Sequence, residues 1–293
     1  MTVDLRHIAY FLAVAEEQNF TRAAERVGIQ QPPLSRQIRD MEESIGAALF
    51  RRTRKGAELT EAGAAFREAV RHVPDQVAHA ITEARRAARG EVGVLRLGYT
   101  TSAGFNPVVA QAIRSFRSQY PDVDLTLIEA NTPQLMQGIH AGTYDLVFLR
   151  PGMAGGEALR ERVLSEEQML AVLPADHPAG IQGSVDLADL RDEPFILLSH
   201  AAGPILLDEI FQACRSAGFT PRIGQRVSQI TSAINLVANG MGVSVVPASM
   251  RFLQVPGVAY LGITGHAPLA RLAVAHRRGD SGPLVRNFLA GCA

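Results

Sequence analysis

Residues 30–39, QQPPLSRQIR, decide how the N-terminal region of this chain is interpreted. Two prolines stand near the start of the stretch. Proline is favourable in the first turn of a helix, where its missing N–H has no partner to lose. Apolar residues then recur at steps of three and four, which places them on one helical face: Leu34, Ile38, Met41 and Ile45. The stretch therefore predicts the first turns of an amphipathic helix.

The opposite face of this predicted helix is polar and basic. It carries Pro32, Arg36 and Arg39, with Gln31 and Ser35 at its flanks. Gln and Arg side chains make bidentate hydrogen bonds to adenine and guanine edges in the major groove of DNA. Taken alone, the face fits an ordinary solvated helix surface equally well, so the surrounding sequence has to decide.

Two shorter helices are predicted ahead of this one. Asp4 is suited to cap a first helix that begins near Leu5. Thr21 is interpreted as the start of a second helix over residues 22–27, which Gly28 ends. Two helices, a tight turn and the polar helix together predict a helix-turn-helix.

A basic hairpin follows the polar helix. Residues 47–59 read as two short strands around a turn at residues 54–56, and four basic side chains lie there: Arg51, Arg52, Arg54 and Lys55. A charge run is usually a solvated surface. Beside a helix-turn-helix, however, it indicates a wing that binds phosphates.

Residues 11–63 resemble the winged helix-turn-helix of LysR-type transcriptional regulators along nearly their whole length. The resemblance implies a DNA-binding regulator that is not an enzyme and that binds a double-stranded operator with two half-sites related by a dyad. It also implies a homodimer or homotetramer, with RNA polymerase as a further partner. The residues it assigns to the groove are Gln31, Pro32, Pro33, Ser35 and Arg36, with Arg52 and Arg54 on the wing. Arg39 joins them because it shares the polar face.

One residue departs from the family pattern. Gln30 stands where these proteins usually place a serine that caps the recognition helix. Since glutamine is a poor N-cap, we expect the first turn to be held less firmly.

Residues 60–88 read as one long helix with a single apolar stripe: Phe66, Val70, Val73, Val77, Ile81, Ala84 and Ala88. A stripe of this length must be covered, either by the same helix of a second chain or by the effector domain of its own chain. The family's linker helix favours dimerisation. Pro74 is expected to kink the helix, because it removes the hydrogen bond to the Val70 carbonyl.

From residue 92 onward, predicted strands alternate with predicted helices, which indicates parallel sheets with helices on both faces. We therefore predict an α/β fold: a winged helix-turn-helix at residues 1–59, a linker helix at 60–90 and an effector domain at 91–293. The effector domain resembles a periplasmic solute-binding protein with two doubly wound subdomains, at residues 91–164 with 268–293 and at 165–267. A single doubly wound domain is the alternative.

Polar residues cluster at the predicted strand ends, where open α/β sheets bind ligands. They are Thr100, Thr101, Ser102, Asn131, Thr132, Arg150, Ser199 and His200, and the family resemblance adds Gln229. Arg150 is suited to pair with a carboxylate. The resemblance implies a small organic acid as effector, with aromatic and dicarboxylic acids among the candidates. Thr132 fits a helix N-cap equally well, and residues 100–102 fit a simple loop.

Composition and motifs exclude several other classes of protein. The chain has 293 residues and a formal net charge of zero, so any DNA-binding surface must be local. No catalytic, nucleotide-binding or metal-ligand motif occurs, and Cys214 and Cys292 are too far apart in sequence for a metal spacing. We therefore predict no cofactor, no metal and, in the absence of a signal peptide or membrane span, a cytoplasmic location. An enzyme or solute carrier fused to a DNA anchor is the rival interpretation.

Overall fold

The computed structural model describes residues 3–53, 56–152, 158–279 and 282–292. Its contacts divide the chain into two compact units, Met1–Arg85 and Arg86–Ala293. Among the described residues, no helix is long and apolar enough to cross a membrane.

The N-terminal unit contains three helices, a hairpin and a fourth helix: α1 (Leu5–Glu17), α2 (Phe20–Arg26), α3 (Gln31–Ile45), β1 (Phe50–Thr53), β2 (Gly56–Leu59) and α4 (Glu61–Val70). Strands β1 and β2 are antiparallel, so the predicted helix-turn-helix with a wing is confirmed. Residues 54 and 55, which contain part of the predicted turn, lie outside the described residues.

The caps of the first two helices test the sequence interpretation directly. Asp4 caps α1 as predicted, because its side chain accepts hydrogen bonds from the backbone N–H groups of Arg6 and His7. Thr21 does not cap α2. The helix begins at Phe20, two residues earlier than predicted. The Asn19 side chain accepts from the N–H groups of Thr21, at 2.9 Å, and Arg22, at 3.1 Å. Asn is the stronger N-cap of the two residue types.

The core of this unit is built around Phe11. Its ring lies 5.2 Å from that of Phe50 and 5.0 Å from that of Phe66, the latter in an edge-on arrangement. The apolar face predicted for α3 is buried at Leu34, Ile38 and Met41. Ile45 is an exception at 37% exposed, because it is the last residue of the helix.

The prediction of one continuous linker helix is wrong. Helix α4 ends at Val70, and α5 (Val73–Arg89) begins after a two-residue turn. Pro74 therefore lies in the first turn of a new helix, where its missing N–H costs no hydrogen bond.

The apolar stripe is also divided. Val70 is buried, and Phe66 and Val73 pack against the core of the N-terminal unit. Farther along, none of the residues of α5 is buried and Ile81 is 48% exposed. The first part of the stripe is thus covered by the chain's own helix-turn-helix, which neither sequence alternative anticipated.

The C-terminal unit has two halves. The first half contains β3 (Gly93–Tyr99), α6 (Thr101–Gly104), α7 (Pro107–Gln119), β4 (Val123–Glu129), α8 (Thr132–His140), β5 (Leu146–Leu149) and α11 (Pro283–Ala290). The second half contains β7 (Ser184–Asp186), β8 (Pro194–Leu198), α9 (Pro204–Ser216), β9 (Arg222–Val227), α10 (Ile230–Ala238), β10 (Ser244–Pro247) and β11 (Val258–Thr264). Each half has its own apolar clusters.

Two long strands connect the halves: β6 (Leu159–Pro174) and β12 (Leu269–Arg277). They belong to one curved sheet with the order β4-β3-β5-β12-β6-β11-β7, in which β10 also pairs with β6. Strand β3 is parallel to β4 and β5, and β8 is parallel to β9. The expectation of purely parallel sheets is wrong at the centre, because β6 pairs antiparallel with β10, β11 and β12.

Candidate nucleic-acid interface and ligand cleft

Helix α3 presents most of the predicted DNA-contacting face to solvent. Pro32, Pro33, Arg36 and Arg39 are exposed, and Gln31 is half-buried. Gln30 is the N-cap residue and makes no side-chain capping hydrogen bond, as its residue type predicts. The exposed face is thus free to approach a groove, and no side-chain cap supports its first turn.

Ser35 is buried and forms a hydrogen bond with Arg52, an exposed residue of the wing. Ser35 is only 6% exposed, and its hydroxyl accepts a hydrogen bond of 3.0 Å from Nη2 of Arg52. The guanidinium of Arg52 also lies 5.6 Å from the ring centre of Phe20. These contacts connect the wing to α3 and to α2. Arg54, the other predicted wing contact, lies outside the described residues.

Glu42 is a residue of this unit that sequence reasoning missed. One of its carboxylate oxygens accepts hydrogen bonds from the backbone N–H groups of Leu49, at 2.7 Å, and Phe50, at 3.0 Å. It thereby ties the start of β1 to the second half of α3. The only signal in the sequence is an acidic residue on α3 shortly before a hairpin.

The C-terminal unit contains a cleft between its two halves with a cavity volume of about 40 Å³. Seven of the predicted effector-binding residues line it: Thr100, Thr101, Ser102, Asn131, Thr132, Arg150 and Gln229. Ser199 and His200 do not line it. The chain turns after β8, and residues 202–206 take the place facing the cavity.

Helix N-termini converge on this cleft. Its lining includes the first residues of α8, α9 and α10. The caps of α9 and α10, Gly203 and Gln229, make no side-chain capping hydrogen bond. Free N–H groups and the helix dipole together favour an anion at such a place.

At two places near the cleft, one of the alternatives left open by the sequence is wrong. Residues 101–104 form one helical turn, α6, and not a simple loop. Thr132 is not the cap of α8. Asn131 holds that position in a reciprocal arrangement with Gln134, while Thr132 is buried as the first residue of the helix.

Arg150 is the most buried charged residue of the cleft, at 4% exposed. Its Nη1 donates to the carbonyl of Arg271 at 3.1 Å, and its Nη2 donates to the Ser102 hydroxyl at 3.2 Å. A carboxylate oxygen of Glu167 lies 3.7 Å from Nη1. Burial lowers the pKa of Arg150 to about 10 although Glu167 opposes the change. Its Nε is buried without a partner.

Glu167 was not predicted from the sequence, yet it stands at the centre of this polar network. It accepts hydrogen bonds from Ser249 through the backbone N–H at 2.6 Å and the hydroxyl at 3.0 Å, and from Asn106 Nδ2 at 3.1 Å. Asn106 belongs to the first half and Ser249 to the second. Arg150 is therefore partly engaged in holding the two halves together, as well as lining the cleft.

The mouth of the cleft is bridged by Thr101. Its hydroxyl lies 2.8 Å from Oε1 of Gln229 in the second half and also contacts the carboxylate of Glu129. The neighbouring Thr100 hydroxyl is buried and has no hydrogen-bond partner.

Other chemistries have little support. The described residues contain no group of His, Cys, Asp and Glu side chains able to hold a metal ion. Burial raises the pKa of the Cys214 thiol to about 11. Gly240 and Gly242, with φ of +70° and +141°, lie between α10 and β10, as expected of glycines that end a helix.

The winged helix-turn-helix and the cleft-bearing unit together define a transcriptional regulator with a substrate-binding domain. Residues 5–64 match the family described as "Bacterial regulatory helix-turn-helix protein, lysR family", and residues 88–293 match "LysR substrate binding domain". The protein therefore belongs to the LysR family and is a non-enzymatic, DNA-binding regulator.

Individual proteins agree with this assignment. The uncharacterized HTH-type transcriptional regulator YnfL of Escherichia coli (strain K12) is 38% identical over 289 residues, which cover 98% of this chain and 97% of YnfL. HTH-type transcriptional regulator AlsR of Bacillus subtilis (strain 168) is 35% identical, with 98% and 94% covered. The crystal structure of CbnR, a LysR family transcriptional regulator, has a TM-score of 0.86 at 28% identity and covers 99% of this chain and 100% of CbnR. Full-length CbnR in complex with its target DNA gives the same TM-score.

Proposed function

We propose that a small organic acid binds in the cleft of the C-terminal unit and changes how this regulator binds its operator. The observation that carries the proposal is the convergence of three helix N-termini on a cavity that Arg150 also lines. Fixed N–H dipoles and a buried guanidinium favour a carboxylate. The unpartnered Arg150 Nε and Thr100 hydroxyl add two donors that lack an acceptor.

On the DNA side, we assign groove contacts to Gln31, Pro32, Pro33, Arg36 and Arg39. Ser35 and Arg52 support these contacts by holding the wing against α3, and Arg52 and Arg54 provide phosphate contacts. The operator has two half-sites related by a dyad, because the exposed stripe of α5 is suited to pair with a second copy in a homodimer or homotetramer. RNA polymerase is the further partner that a regulator of this kind meets at a promoter.

The two sites are coupled through the arrangement of the halves. Closure of two halves on a ligand changes how a dimer is arranged, and hence the spacing of its recognition helices. A coupling of about 1–3 kcal/mol is sufficient, and it is reciprocal, so operator DNA changes effector affinity by the same factor.

Thr100→Val tests the ligand site without disturbing an internal hydrogen bond. Valine has the shape of threonine, and the Thr100 hydroxyl has no partner to lose. Melting of the ligand-free variant should therefore equal or exceed that of the wild type. Thr143→Val, at an exposed turn outside the cleft lining, is the matched control.

The measurement is a thermal-shift screen of small carboxylic acids, followed by calorimetry and by anisotropy of a DNA duplex selected by the protein from a random pool. We expect at least one acid to raise the melting temperature of wild type and Thr143→Val, and to do so less for Thr100→Val. The same acid should change DNA affinity. If no acid in the panel changes the melting temperature of the wild type, the proposal is refuted.

A further inference from the structure

We infer that the cleft selects short aliphatic monocarboxylates, of about two to four carbons, over dicarboxylates and aromatic acids. This inference rests on the proposed function and specifies its ligand. Three features of the cleft carry it: the balance of charge, the difference between its walls and its size.

The charge balance favours a ligand with one negative charge. Arg150 is the guanidinium of the cleft lining, and Glu167 already lies 3.7 Å from it. At the mouth, the Glu129 carboxylate contacts the Thr101 hydroxyl. Each helix N-terminus contributes about half a positive charge. One carboxylate is therefore well accommodated, whereas a second carboxylate at the mouth would meet Glu129.

The two walls differ in chemistry and so orient the ligand. The first half contributes hydroxyl groups, from Thr100, Thr101, Ser102 and Thr132. The second half contributes mainly apolar side chains, from Leu198, Pro204, Ile205, Leu206 and Ile230. A carboxylate bound by the hydroxyl wall and Arg150 places its hydrocarbon chain against the apolar wall.

The space available limits the length of that chain. A volume of about 40 Å³ holds roughly three water molecules. Behind the apolar wall, a second cavity of about 10 Å³ shares Leu198, Leu206 and Ile230 with the cleft. It extends the site by about the space of one further water molecule. The cleft lining contains no aromatic side chain to stack on a ring, and the Thr101–Gln229 contact runs from the first half to the second.

The test is calorimetry of the full-length protein with acetate, propionate and butyrate against succinate and benzoate, at one ionic strength and pH 7. We expect the best of the short acids to bind about tenfold more tightly than succinate or benzoate. Butyramide, which has no charge, should not compete with the best short acid.

Glu129→Gln isolates the charge argument, because Glu129 is exposed and its change should leave the fold intact. The variant should improve succinate binding relative to the best short acid by about fivefold, the effect of removing one like charge at about 4 Å in bulk water. Asp124→Asn, an exposed acid on the same strand outside the cleft lining, should leave the ratio unchanged.

The outcomes separate this inference from the proposed function. Tighter binding of succinate or benzoate than of every short acid would overturn the inference while leaving an acid-responsive regulator. If Glu129→Gln leaves the ratio of succinate affinity to short-acid affinity unchanged, the inference is also overturned. Failure of all five acids to bind, or equal competition by butyramide, would overturn the proposed function and the inference together.

Discussion

Arg150→Met removes the buried cation that faces Glu167, and its effect on stability can be worked out from the contacts. Removing one partner of a buried ion pair typically costs about 3–5 kcal/mol, because the other charge is left buried. Glu167 retains the donors of Ser249 and Asn106, so we expect a loss near 3 kcal/mol. For a unit of this size, the melting temperature should fall by about 6–12 °C.

The assay is differential scanning calorimetry together with urea unfolding of the full chain without ligand. Arg271→Met is the matched control, because that guanidinium is 56% exposed and pairs with Glu166, which is 47% exposed. It should cost less than about 1 kcal/mol. The double variant Arg150→Met, Glu167→Gln should be more stable than the sum of the two single effects predicts, by about 1–2 kcal/mol.

Ligand binding by the same variants separates the two roles of Arg150. We expect Arg150→Met to lose both stability and acid binding, because the residue contacts Glu167 and also lines the cleft. A melting temperature like that of Arg271→Met would refute the stabilising role of the pair. If Arg150→Met binds acids with wild-type affinity, the proposed pairing of Arg150 with the ligand carboxylate is refuted.

Three further predictions concern other parts of the chain. Arg36→Ala should remove about 1–3 kcal/mol of discrimination at one base pair, measured with single-base operator variants, whereas Arg54→Ala should weaken all sequences alike and reduce the salt slope by about one unit. Val77→Glu with Ile81→Glu should convert the oligomer to monomers in light scattering, because both charges would be buried where the α5 stripes of two copies pair. An unchanged mass would contradict pairing through α5. The raised pKa of Cys214 contributes stability that is complete below 9.0 and lost as pH rises toward about 11. The urea midpoint should therefore fall more over that range in the wild type than in Cys214→Ala.

The sequence was most informative where local rules act alone. The prolines of α3, the Asp4 cap and the periodic apolar face each follow from a few neighbouring residues, and the structure contains all of them. Seven of the nine polar residues predicted at strand ends and helix starts also lie together around one cleft. This worked because the carboxyl ends of β3 and β5, which are parallel neighbours, meet at one edge of the sheet.

The features that could not be predicted from the sequence depend on contacts between residues far apart in the chain. Strand β6 begins with the charged run RERVLSEEQ, which has no apolar alternation, and it is a strand because it pairs with β12 more than a hundred positions later. Glu167 lies just after the middle of that strand and gains its role from Asn106 and Ser249, both far away in sequence. The hydrogen bond between Ser35 and Arg52 could not be predicted from the sequence, because Arg52 follows seventeen positions later on another element.

Glu42 has a consequence for how regulators of this kind diversify. Because it holds the start of the wing to α3 through two backbone N–H groups, the bond does not depend on the side chains at Leu49 or Phe50. Residues on the exposed face, such as Arg36 and Arg39, take no part in it. We therefore expect that substitutions on that face change the preferred DNA sequence while the spacing between α3 and the wing stays the same.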